Sequence, residues 1–292
     1  MKKQFVFKFE NSGLFSEINN FILALLYAYK NNYEITIDVK NFKTVDENTL
    51  KSILDLSEFN FNSSKFISQA TSRSLSTYLF NYFGVWKFIR LLFYYSFNLI
   101  NRVSNIFLLN KVELLQDHWI LIRKLRLTLS SEDKVFIFNS VKNLWIHRSN
   151  FSKKENFVAV HIRRGDKITE TSFISLEQYY LEIIKSCKIV NTQNVYIFTD
   201  LKEEGDILRS KLDGYNVELE FLDEKGYFHQ DYLSLSNDVK ANKTLKLCDI
   251  VSKLSASDYF IGSNDGNLSA FVTMLRNGEN FSDLRNGGLL IY

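Results

Sequence analysis

The sequence predicts an α/β fold in which parallel strands alternate with helices, and three observations carry that expectation. Short apolar or alternating runs precede helical runs in two separate series, over 4–39 and over 157–276. The polar residues capable of chemistry gather at the carboxyl ends of the apolar runs, where doubly wound sheets bind their ligands. The chain has 292 residues, 46% of them hydrophobic, which is enough for two cores of ordinary size.

The first series opens with an alternating strand over 4–9, followed by the turn residues Asn11, Ser12 and Gly13. Leu14 to Lys30 reads as a helix, because Ile18, Phe21, Ile22, Leu25 and Leu26 recur at helical spacing. Asn31 and Asn32 end it, and Tyr33 to Val39 reads as the next strand. Residues 47 to about 150 look predominantly helical, with no evident strand run.

The second series begins at Asn156. Phe157 to Ile162 is a short apolar strand running into a polar loop, Arg163 to Thr169. Helices are expected over 175–187, 201–212, 245–255 and 268–276, and strands over 194–199, 217–222 and 259–262. The two series place a domain boundary at the charged stretch Ser152-Lys153-Lys154-Glu155, giving an N-terminal α/β domain over 1–152 with a helical insertion and a C-terminal domain over 153–292.

Composition removes several classes of function. The formal net charge is +3, and Lys and Arg are interspersed with Asp and Glu, so no basic face for nucleic acid is expected. Cys187 and Cys248 stand far apart with no Cys/His cluster, which supports neither a zinc site nor a disulfide framework and fits a reducing compartment. Lys8 and Glu10 interrupt the N-terminal apolar run too early for a signal peptide, so a cytoplasmic location is expected. The aromatic segment 82–109, which carries Lys87, Arg90 and Arg102, has two readings. One is buried helices; the other is an amphipathic surface peripheral to the inner face of a membrane.

The chemistry concentrates in His161-Ile162-Arg163-Arg164-Gly165-Asp166-Lys167. Two guanidiniums and an ammonium at a strand end can neutralise a diphosphate, Arg by paired N–H donors and Lys as a point charge. No Asp-x-Asp pair for a divalent ion, no phosphate-binding P-loop and no GxGxxG is present, so no metal and no separate cofactor is expected. The competing reading is a solvated turn with mutual salt bridges. At the N-terminal end, Gly13 opens a helix whose backbone N–H groups could approach a phosphate; equally, it could simply permit a tight turn.

The run from His161 through Lys167 to Glu170, with Phe173, Glu177 and Tyr179 beyond it, resembles the α1,6-fucosyltransferases of N-glycan cores and nodulation factors. The strand Val195 to Asp200, the segment Asp249 to Phe260 and a fainter echo over 13–29 extend the resemblance. It implies a GT-B-like arrangement of two facing α/β domains, with a Rossmann-like C-terminal domain binding a GDP-sugar and a glycan or glycoconjugate acceptor opposite. It further implies that Arg163 holds the β-phosphate with help from Lys167, that His161 and Asp249 face the guanine, and that Glu170 is the general base. Arg164, Asp166 and Asp200, and Asp265, Gly266 and Asn267 in the last strand–helix loop, complete the expected donor site. The implied reaction is metal-independent, inverting transfer of fucose from GDP-fucose.

Two departures keep alternatives open. Two residues separate Lys167 from Glu170 where the family has three, which leaves Asp166 and Glu177 as fallback bases. Asp265-Gly266 replaces the family's serine pair, which admits another GDP-sugar such as a heptose or deoxyhexose. A catalytically inert nucleotide- or glycan-binding protein of the same fold is the reading from another class.

Overall fold

The computed structural model describes residues 3–9, 13–39, 42–61, 112–113, 129–147, 149, 151–164, 174–222, 229–263 and 266–284. The segment 82–109, for which a membrane-facing surface was one reading, lies outside the described residues. Among those residues no helix is long and apolar enough to cross a membrane.

Two parallel sheets organise the chain. The first contains β1 (Lys3–Lys8), β2 (Tyr33–Asp38), β3 (Asn60–Phe61) and β4 (Val112–Glu113) in the order β3-β2-β1-β4. The second contains β5 (Val158–Ile162), β6 (Asn194–Thr199), β7 (Asn216–Glu220), β8 (Tyr259–Gly262) and β9 (Phe281–Asp283) in the order β7-β6-β5-β8-β9. Every pairing among these described strands is parallel. In each sheet the first strand is internal and the order reverses beside it, which puts the switch points between β1 and β4 and between β5 and β8. Ligands of such sheets bind outside the carboxyl ends of the strands at those points.

The helices are α1 (Leu14–Lys30), α2 (Glu47–Ile53), α3 (Ser131–Leu144), α4 (Leu176–Val190), α5 (Lys202–Lys211), α6 (His229–Ser234), α7 (Asn237–Ser255) and α8 (Asn267–Leu275). Local chemistry fixes several of their ends. Ser130 with Asp133, and Ser175 with Gln178, close reciprocal capping boxes on α3 and α4, which satisfy backbone donors that a helix start otherwise leaves free. Asn191 stops α4 in the left-handed conformation, φ 51°. By contrast α1 and α8 start at Gly13 and Gly266, which have no side chain with which to cap them.

Burial follows the strand alternation. Val158, Val160 and Ile162 turn to one face of the second sheet and pack with Ile183 and Cys187 of α4 and Leu208 of α5. Ala159, Tyr196, Phe198 and Phe260 turn to the other face and join a cluster continuous with the first sheet through Cys248, Phe271 and Phe15. Both cysteines are free and buried. An aromatic block seals this junction, with Phe271 5.1 Å from both Phe15 and Trp145 between ring centroids. Two polar contacts also join segments that leave the carboxyl ends of the two sheets. Asn19 Nδ2 donates to the Asn267 carbonyl at 2.9 Å, and Lys240 Nζ donates to the Lys43 carbonyl at 3.2 Å.

The alternation of strands and helices matches the sequence expectation, but five elements differ. The two-residue strands β3 and β4 fall where only helix was expected; so short a run carries no alternation to detect. β9 is three residues long and half-buried, with the same consequence. Helix α7 starts eight residues before the expected Leu245, because its first two turns are Asn-, Asp- and Lys-rich and offer little apolar periodicity. Helix α6 was not anticipated.

Candidate functional site

The site is built where β5 and β8 diverge. Arg163 follows the last residue of β5, and its guanidinium pairs with Asp200 at the end of the neighbouring β6. The same Asp200 oxygen accepts from the Arg164 backbone N–H at 3.0 Å. One buried carboxylate therefore fixes both the side chain of Arg163 and the backbone of Arg164. Arg163 remains one-fifth exposed.

Its neighbour takes a different place. Arg164 was expected among the nucleotide-facing cations, but its side chain is buried at 2% exposure. It pairs with Glu204 of α5, donates to the Ile174 carbonyl at 2.7 Å and lies over the Tyr179 ring at 5.8 Å. Successive residues leaving a strand point to opposite sides, so one arginine meets the open end of the sheet and the other enters the layer under α4 and α5.

His161 occupies the last turn of the pleat before Arg163. It is paired in register with Phe198, whose ring stacks on the imidazole at 5.3 Å and 14°. Its Nδ1 is 2.7 Å from Ser269 Oγ in the first turn of α8. Burial disfavours the imidazolium and pushes the His161 pKa down to about 4; nearby Asp200 opposes that shift and Arg163 reinforces it. His161 is therefore neutral near pH 7.

Beneath this bond lies Gly262, where an added Cβ would sit 2.8 Å from Ser269 Oγ, so the close approach of β8 and α8 requires glycine. From the other side Asn19 of α1 reaches the first residue of α8. Asn19 is 1% exposed, and its Oδ1 has no hydrogen-bond partner among the described residues. The space where a Cβ of Gly13 would stand is open. The arrangement thus brings two glycine-started helices together and ties α8 to His161. Arg163 and Asp200 lie near enough to influence that imidazole. Helix N-termini attract anions by their free N–H groups and dipole, and a guanidinium adds paired donors.

Asp249 lies on α7, 55% exposed, with Oδ1 2.9 Å from Nε2 of His147. His161 and Asp249 were expected to face one base together; in the structure each is engaged with a different partner. Gly266 and Asn267 stand at the start of α8 as expected of a strand–helix loop. Gly165, Asp166, Lys167, Glu170 and Asp265 lie outside the described residues. Glu177, a fallback base, pairs with Lys211 at 2.7 Å on the outer surface, 57% exposed.

Sequence reasoning missed Ser269, Asn19 and Glu204. Asn19-Asn20 carried a signal, being a polar pair on a helix whose other faces are apolar. Ser269 and Glu204 carried none, because their importance depends on partners 108 and 40 residues away.

No protein-family profile matches the chain, and no curated protein matches its sequence. Solved structures do. The chain is similar to the selenomethionine form of the fucosyltransferase NodZ from Bradyrhizobium, with 13% identity and a TM-score of 0.50 over 94% of this chain and 92% of that one. It is also similar to POFUT1 in complex with GDP, with 12% identity and a TM-score of 0.48 over 97% and 98% of the two chains. The NodZ likeness extends over nearly the whole chain and shows the fold class, a GT-B-like pair of α/β units.

Proposed function

We propose that the chain is a glycosyltransferase that uses a GDP-sugar, with GDP-fucose as the donor and a glycan or glycoconjugate hydroxyl as the acceptor. The observation that carries this reading is the junction of α1 with the first turn of α8, tied by Asn19 and the Asn267 carbonyl, beside the end of β5, where His161 holds Ser269 and Arg163 is anchored by Asp200. That constellation suits a diphosphate. The motif over 161–170 and the NodZ-like fold favour a sugar nucleotide over other diphosphates.

In this reading Arg163 and the helix N–H groups stabilise negative charge as it develops on the leaving GDP. The acceptor oxygen attacks the anomeric carbon, the bond from that carbon to the β-phosphate oxygen breaks, and a carboxylate takes the hydroxyl proton. The motif assigns that carboxylate to Glu170 and gives Lys167 the part of helping Arg163 at the phosphate, and the transfer inverts the anomeric centre without a metal ion. Asp265-Gly266 in place of a serine pair favours a second reading, with another GDP-deoxyhexose or a GDP-heptose as donor.

The test is a thermal-shift panel of GDP, UDP, ADP, GDP-fucose and GDP-mannose in EDTA, followed by GDP release from GDP-fucose with and without glycan acceptors. Stabilisation by GDP and GDP-fucose over UDP and ADP is expected. Absence of any GDP effect, or strict dependence on a divalent ion, would reject the donor site as described. GDP binding without hydrolysis or transfer would select the inert binder.

A further inference from the structure

We infer that His161 is a positioning residue that sets the first turn of α8 through the bond of its Nδ1 to Ser269. The inference rests on the donor site proposed above for its consequence, but the geometry stands by itself. His161 and Ser269 are 2% and 1% exposed, and their 2.7 Å bond joins the internal strand β5 directly to α8 across the switch point. Phe198, its register partner on β6, stacks on the imidazole and restricts the ring's rotation.

Ser269 is the third residue of α8 after the Gly266 cap. A serine there can turn back to its own helix, yet its Oγ is spent on His161. Its carbonyl accepts from Thr273 Oγ1 at 2.9 Å, and Gly262 leaves room for the close approach. Asn19 holds the carbonyl of Asn267 from the opposite side. The first turn of α8 is thus fixed between a histidine of one sheet and an asparagine of the helix after the other. Asn19 Oδ1, buried and without a partner among the described residues, stands at the same junction. Free N–H groups that receive an anion are useful only where their direction is fixed in advance. The His161–Ser269 bond supplies that fixing for α8.

The prediction separates the two nitrogens of the ring. His161→Asn places an amide where Nδ1 stood and preserves a bond to Ser269; His161→Gln reaches toward the Nε2 position and loses it. Hydrogen exchange is followed in the ligand-free protein at the Ala270 amide, which donates to the Gly266 carbonyl at 2.9 Å. We expect Ser269→Ala and His161→Gln each to speed exchange there about tenfold relative to the Val195–Phe198 strand amides, and His161→Asn to leave it near wild type. Calorimetry with pyrophosphate, GDP and guanosine gives the second arm. Ser269→Ala should weaken pyrophosphate and GDP by a similar factor, roughly 5- to 20-fold, and leave any guanosine affinity unchanged. Unchanged Ala270 exchange in Ser269→Ala overturns the inference, as does an exchange-neutral His161→Gln that abolishes guanosine binding. A wild-type protein that binds neither GDP nor pyrophosphate rejects the donor site, while the exchange arm still decides the positioning role.

Discussion

Asn19 and Asn267, 248 residues apart in sequence, share a 2.9 Å hydrogen bond that joins the helix after β1 to the helix after β8. The bond is part-buried and one-sided: Nδ2 donates while Oδ1 finds no partner among the described residues. Asn19→Ala removes the bond and also the unpaired oxygen, so the loss in unfolding free energy should be modest, about 1–2 kcal/mol. Asn19→Asp turns the donor into an acceptor facing a carbonyl and buries a charge, and should cost about 3 kcal/mol or more. Urea unfolding of the two variants checks the order; equal losses would mean that the donor hydrogen is not what matters.

Arg163 and Arg164 should respond differently. Arg163→Ala removes a partly exposed guanidinium but leaves the buried Asp200 carboxylate with the Arg164 backbone N–H, and is expected to cost about 1–3 kcal/mol of stability. It should weaken GDP by about 10- to 100-fold, the range for hydrogen bonds to a charged group. Arg163→Lys should recover part of this, since a point charge lacks the paired donors. Isothermal titration in EDTA gives the affinities.

Arg164→Ala should instead unfold easily. It strands Glu204 and the Ile174 carbonyl and empties a packed volume beside Tyr179. Breaking such a pair costs about 3–5 kcal/mol when both charges are buried, and Glu204 is 20% exposed, so the lower end applies. Arg164→Met combined with Glu204→Gln should recover much of the loss. Denaturation midpoints of the single and double variants test this.

Stability should fall as the solution is acidified through a window set by His161. Its folded pKa of about 4 lies below the ordinary value of 6.5, so the unfolded chain binds the proton more readily. The contribution is fully present above pH 6.5, declines as pH drops and is exhausted below about 4, amounting to ~3 kcal/mol in all. Asp46 and Asp133, whose pKa values are lowered by hydrogen bonds from Thr49 and, against burial, by Lys30, lose their contributions only below the ordinary carboxylate value of 3.8. The two phases separate. Equilibrium unfolding between pH 7.5 and 4.5 should show the slope in wild type and a flat line in His161→Asn.

Glu170→Gln should lower turnover by about 10²–10⁴ with GDP affinity unchanged, the usual contribution of a positioned proton acceptor. Full activity in that variant, with loss in Asp166→Asn, would move the base to the earlier carboxylate.

What was legible in the sequence was what repeats locally. The 3.6-residue spacing along α1 and the unbroken apolar runs of β5, β6 and β8 read directly as elements, and their alternation as a parallel sheet. The position of Arg163 at a strand end was legible. The direction of the Arg164 side chain was not: motif and composition are identical for a cation facing solvent and one turned under α4, and only the Glu204 and Ile174 contacts distinguish them. The pairing of Asp249 with His147, and of His161 with Ser269, joins residues more than 100 positions apart, and no spacing rule connects them.

The two buried cysteines give the protein a pair of internal clocks. Cys187 packs in the cluster beneath α4, where burial lifts its thiol to about 11; Cys248 lies fully enclosed in the cluster shared by both sheets, and burial raises its pKa further. Neither forms thiolate in the folded state at neutral pH, so an alkylating reagent modifies each only when its own surroundings open. Mass spectrometry of the two peptides during slow labelling would therefore time the opening of the outer layer and of the junction separately. A ligand that bridges α1 and α8 should slow the Cys248 clock far more than the Cys187 clock.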